Sequence, residues 1–146
     1  MPTARRSRTI AAPAQQLWEV IADPHHLPRW WPRVMRVEDV EGSAFTEVMQ
    51  TAKGKYVRAD FELVEADEQA GTLRFEQRVD GTPFARLLRS ASTMINLAPE
   101  GAGTCVTIEL SQSLAGTLAR LGSFLVRRAA VATVEEALDG LERISG

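Results

Sequence analysis

The chain is poor in the residues that most often carry chemistry. Among 146 residues there are one cysteine, one tyrosine and two histidines. A lone Cys105 forms no internal disulfide, so nothing calls for an oxidising compartment. His25 and His26 are adjacent and therefore diverge, and no further histidine or nearby cysteine completes a set of metal ligands. Neither a nucleophile elbow nor a phosphate-cradling GxGxxG or Walker pattern occurs. No run approaches the ~18 apolar residues of a membrane span. The opening "MPTARRSRTIAAPA" lacks the apolar stretch of a signal peptide, so the cytoplasm is the default expectation. Neither charge sign dominates. With 17 basic and 19 acidic residues the net charge is −2, and a nucleic-acid binder would more often be clearly basic. "RRSR" at 5–8 fits a solvated strand end better than a nucleic-acid patch.

What is present is ordinary for a globular protein: 45% hydrophobic and 25% charged residues. The length suits one domain over 1–146 and a real core without staples. "SRTIAAP" reads as a strand ending at Pro13, which fits the first turn of a helix. "AQQLWEVIA" then sets Leu17, Trp18, Ile21 and Ala22 on one helical face. Asp23 followed by Pro24 is a second helix-start signal. It predicts a short helix through "DPHHLPRWW", interrupted near Pro28 and finished by Pro32.

Beyond Pro32 the hydrophobic period changes to two. Strands are expected in "RVMRVEDVE", "AFTEVMQT", "YVRADFELVE", "TLRFEQRVD", "FARLLRSASTMINL" and "TCVTIELSQSL", separated by turn residues. In "YVRADFELVE", Val57, Ala59, Phe61 and Leu63 share one face, and Tyr56 falls on the other with Arg58 and Asp60. In "TLRFEQRVD", Leu73, Phe75 and Val79 point inward. "TLARLGSFLVRRAAVATVEEALDGLERI" is then predicted helical for 28 residues, or ~42 Å. Its apolar residues drift around the axis, which suits a helix lying in a curved sheet better than a coiled-coil seam. The reading is α+β: a seven-stranded antiparallel sheet curled around a long C-terminal helix, with two short helices between strands 1 and 2. Such a sheet leaves space between its concave face and the helix.

Candidate site residues follow from these phases. Trp30 and Trp31 sit about 100° apart on a helix, so one is expected in the core and the other at the hollow. Phe61 and Phe75 are inward apolar residues. Gln77 is in phase with Phe75, and an inward amide needs a hydrogen-bond partner, supplied by a ligand, water or a neighbouring side chain unless a bulge turns it out. Arg89 and Thr93 share a phase with Ala91 and Ile95. The opposite phase, with Phe84, Leu88 and Met94 inward, is equally compatible, because that strand is apolar on both faces. An inward Arg89 would bind an anion or carbonyl through its planar fork. Leu121 and Phe124 belong to the apolar set of the long helix. Arg128 lies between them and Val131, either reaching the hollow or lying on a solvated basic edge with Arg120 and Arg127.

The segments "IAAPAQQLWEVIADPHHLPRWWP", "GTPF" at 81–84, "GTCVTIE" at 103–109 and "ALDGLERI" resemble the START-like, or Bet v 1-like, superfamily. Within it the chain is most similar to bacterial polyketide cyclase/dehydrase-type proteins. The resemblance covers essentially the whole chain and implies the helix-grip fold. It also implies a deep apolar cavity for a lipid, polyketide, steroid or similar ligand. No cofactor is expected, and the residues offer no metal site. It does not imply one activity. Binding of a hydrophobic small molecule is the first functional expectation. A polyketide aromatase/cyclase is the alternative, set back by the want of an expected inward tyrosine, histidine or carboxylate. A largely filled hollow serving protein–protein contact, including a homodimer, is a third.

Overall fold

The computed structural model describes every residue except 1, 117, 118, 120, 121 and 146. In chain order the elements are β1 (Thr3–Ile10), α1 (Ala14–Ile21), a 3-10 turn (Pro24–His26), α2 (Leu27–Trp30), β2 (Val34–Glu41) and β3 (Ala44–Gln50). There follow β4 (Tyr56–Asp67), β5 (Thr72–Gln77), a second 3-10 turn (Pro83–Arg86), β6 (Leu88–Glu100), β7 (Gly103–Leu114) and α3 (Ser123–Ser145). The strands make one sheet of seven in the order β1-β7-β6-β5-β4-β3-β2, antiparallel throughout. This is the α+β helix-grip arrangement expected from the element order. No helix among the described residues is long and apolar enough to cross a membrane.

Local sequence accounts for the chain's path into the sheet. Pro13 precedes α1 in an extended conformation, and Leu17, Trp18 and Ile21 are the helix's buried residues. Asp23 caps the next turn by accepting a hydrogen bond from the His25 backbone N–H at 3.0 Å. The chain leaves helical geometry at Trp31, whose ψ of 131° is extended. Trp30 is therefore still helical and Trp31 already is not.

Along α3 the buried residues are Ala130, Val134, Ala137, Leu138, Gly140 and Leu141. All but Gly140 join Ile95, Val106 and Ile108 of the sheet in one core. The open edge of β1 is tied to the same helix. Arg8 reaches Asp139 at 2.5 Å, Glu135 at 3.2 Å and Glu142 at 3.4 Å, and Arg6 meets Glu135 at 3.4 Å.

Several boundaries differ from the sequence expectation: the first strand is Thr3–Ile10, not 7–13, and the strand expected over 72–80 ends at Gln77; two further differences bear on the site. The strand expected from Phe84 begins at Leu88, because Thr82 caps a 3-10 turn over Pro83–Arg86 by accepting from the Phe84 N–H at 3.3 Å. The long helix, expected from 117, is described from Ser123. Leu118, Arg120 and Leu121 lie outside the described residues.

Candidate functional site

Between the concave face of the sheet and α3 lies a cavity of about 480 Å³. The helix side of its wall is built from Val126, Ala129, Ala130 and Thr133. These are small side chains, and they leave the hollow unfilled. The sheet side presents Phe61, Phe75, Leu110 and Leu88. Half-buried Phe84 and Leu125, which is 59% exposed, stand at the margin where the wall meets solvent.

Aromatic rings form one end of the wall. Phe45 and Phe61 stack at 5.6 Å with 12° between planes, and Phe75 meets both edge-on at 5.9 and 5.8 Å. Trp31 completes the group, 6.4 Å from Phe75 and edge-on to Trp30 at 5.4 Å. Such edge and offset contacts suit the quadrupoles of the rings.

Six polar side chains break the apolar lining: Glu47, Gln77, Ser92, Thr93, Gln112 and Thr133. Glu47 is the most consequential. Opposed residues of an antiparallel pair share a face, and Glu47 is opposite Ala59 on β4, which is 2% exposed. Glu47 is itself only 3% exposed. Burial pushes its carboxyl up to about 8, with no hydrogen bond or neighbouring charge contributing. At neutral pH this group is a neutral acid and a hydrogen-bond donor. On β5, Gln77 stands opposite Phe61, and its Nε2 is buried without a partner among the described residues.

The residues expected at the site separate into two groups. Trp31, Phe61, Phe75, Gln77 and Thr93 all line the cavity. Trp30 does not; it is 3% exposed and packs between α2 and α3. Arg89 is corrected to the outside. A register shift between Leu88 and Ser90 lets Leu88 point inward together with Ala91 and Thr93, so Arg89 turns to solvent. Phe124 and Arg128 are also corrected. Each is two residues from cavity-lining Val126, roughly 160° around the helix, and Phe124 is 73% exposed. Arg128 is likewise exposed. Leu121 lies outside the described residues. Tyr56 faces outward at 61% exposure.

Glu47 escaped the sequence reading, which expected no inward carboxylate. The signal was its period-two phase with Phe45 and Met49. Thr46 and Val48 on the opposite face are buried as well, at 6% and 1%, so the alternation of β3 does not single out a face. Arg86, Arg89, Arg127 and Arg128 are exposed, and residues 81–99 and 110–134 contain no acidic side chain. Among the described residues no cluster of three or more potential metal ligands occurs.

This geometry is matched by comparison with other proteins. A family model described as polyketide cyclase / dehydrase and lipid transport matches residues 1–146. The chain belongs to that family.

Solved structures of similar fold include a protein from Thermus thermophilus at 28% identity, with a TM-score of 0.77 over 97% of this chain and 95% of that one. A START superfamily protein from Mycobacterium smegmatis is 14% identical, with a TM-score of 0.80 over 98% and 96%. The di-domain ARO/CYC BexL of the BE-7585A biosynthetic pathway is 22% identical with a TM-score of 0.78; 98% of this chain is covered and 46% of that one. No curated protein matches the chain. The family's description names both cyclase / dehydrase activity and lipid transport.

Proposed function

We propose that the protein binds one hydrophobic small molecule, a lipid, polyketide or similar, in the cavity between the sheet and α3. The observation that carries this reading is a hollow of about 480 Å³ with a mainly apolar wall and few polar groups. That is the usual make-up of a small-molecule pocket. A ligand that binds only the folded state stabilises it by RT ln(1 + [L]/Kd), about 2.7 kcal/mol at a hundredfold excess over Kd. Native mass spectrometry and thermal shift against fatty acids, sterols and aromatic polyketides test it. A stoichiometric adduct with a raised melting temperature is the expected result; no adduct and no shift across the panel rejects it.

One observation favours a second reading, an aromatase/cyclase acting on a poly-β-ketone chain. Dehydration after aldol closure needs a proton donor inside the cavity, and the neutral carboxyl of Glu47 is such a group. The structural likeness to BexL supports the same reading at the level of the fold. Product analysis with a tethered poly-β-ketone decides it. Cyclised products that revert to the spontaneous mixture in Glu47→Gln are expected of an enzyme. The spontaneous mixture with the unaltered protein rules catalysis out.

A further inference from the structure

We infer that Glu47 and Gln77 are the recognition element of the cavity, selecting a neutral ligand that carries a hydrogen-bond acceptor, such as a ketone or lactone carbonyl, on an apolar body. This rests on the binding reading above. The two residues stand on strands separated by β4 and are offset by two residues along it, so their backbones are roughly 12 Å apart across the sheet. Both side chains reach the same cavity. On β4 between them, Ala59 is opposite Glu47 and Phe61 is opposite Gln77, so the two polar side chains stand diagonally across the cavity wall.

Gln77 brings a buried unmet donor, and the protonated Glu47 carboxyl brings a second donor that faces the cavity. Gln77 Nε2 is buried without a partner among the described residues, and the Glu47 carboxyl has no hydrogen bond that affects its titration. A buried donor left unpaired is costly. A hydrocarbon ligand would displace water and leave both donors unmet, whereas a carbonyl oxygen would accept from them.

The charge state follows from the neighbours. Val37 of β2, Ala59 of β4, Met49, Trp31 and the α3 side chains Val126, Ala129, Ala130 and Thr133 on the cavity wall include no titratable group. No described cation is therefore placed to draw the proton from Glu47. The carboxyl stays a donor through neutral pH and becomes an acceptor-only carboxylate above about 8.

Isothermal titration calorimetry with 2-acetylnaphthalene and its shape-matched hydrocarbon 2-isopropylnaphthalene, from pH 6 to 9.5, tests this. The ketone should bind roughly threefold to tenfold tighter at pH 6.5, the scale of one net hydrogen bond. That preference should fade above pH 8. In Glu47→Gln it should persist at every pH, because the amide still donates; the wild-type pH series carries the test if that variant does not fold. Equal affinity for the two probes at pH 6.5 overturns the inference and leaves the binding reading standing. Tighter binding of 1-(2-naphthyl)ethylamine, growing from pH 7 to 9, also overturns it, since Glu47 would then be a counter-ion. Failure of all probes at every pH refutes the binding reading and the inference with it.

Discussion

Gly140 and Trp30 meet backbone against backbone. A Cβ added at Gly140 would run into the carbonyl oxygen of Trp30 and lie 2.9 Å from its carbonyl carbon. Helix α2 therefore sits on α3 with no side chain between them at this point. Glycine ordinarily weakens a helix interior by up to about 1 kcal/mol relative to alanine. Here that cost is offset by the close approach. Gly140→Ala should destabilise the protein by about 1–3 kcal/mol, the scale of overpacking a core. Differential scanning calorimetry measures this as a fall in melting temperature of several degrees. A variant melting at or above the parent temperature would refute the contact.

The adjacent tryptophans should respond differently to truncation. Trp30 is buried among core residues, while Trp31 is half-buried and lines the cavity. Trp30→Ala is expected to cost about 3–5 kcal/mol, the usual loss for a buried ring. Trp31→Ala should cost clearly less, since part of its surface is already wet, yet weaken the binding of an aromatic probe. Urea denaturation gives the first comparison and calorimetric titration the second. Equal destabilisation by both changes, with probe affinity untouched, would contradict this division of labour.

How much of this was legible in the sequence depended on whether one face of an element is distinct from the other. Leu17, Trp18 and Ile21 mark a single stripe on α1, and Asp23–Pro24 is a local cap, so both could be read without tertiary context. Ala59 and Phe61 fix the phase of β4 because charged residues alternate with them. On β6 both faces carry apolar residues, and a register shift near Leu88 then reverses the phase locally. No pattern reaches that event, so Arg89 was as good a candidate as Thr93. On β3 the outer face is covered as fully as the inner, which hid Glu47. Phe124 looked like core because apolar residues imply burial only where something packs against them. The described packing of α3 begins at Ala130.

Arg8 holds one face of α3 to the sheet edge, and its loss should be salt-dependent. Glu135, Asp139 and Glu142 recur at helical spacing and converge on one guanidinium. Their hydrogen bonds and charges raise the arginine's affinity for its proton. Single exposed ion pairs contribute about 0.2–1 kcal/mol. Here Arg8→Leu also leaves three carboxylates in a row, answered among the described residues only by Arg6 at Glu135. A loss of about 1–2 kcal/mol is expected at low ionic strength, and a smaller one in 1 M salt, where screening acts over ~3 Å. Denaturation midpoints at the two salt concentrations measure the difference. A loss unchanged by salt would point to packing of the arginine stem instead of charge.

Glu47 makes stability fall as pH rises. Its carboxyl has an ordinary value of 4.5 in the unfolded chain and about 8 in the folded protein. Between these values the folded state keeps a proton that the unfolded state releases. The contribution is therefore complete below 4.5, declines by about 1.4 kcal/mol per pH unit, and levels off above 8. Other groups titrate in the same range, so the variant Glu47→Gln supplies the reference. Its amide never ionises, and it should gain on the wild type steadily from pH 5.5 to 7.5. Urea denaturation at pH 5.5, 6.5 and 7.5 follows this gain. Parallel stability curves for the two proteins would mean that the carboxyl is solvated or paired, and the cavity at Glu47 would have to be wet.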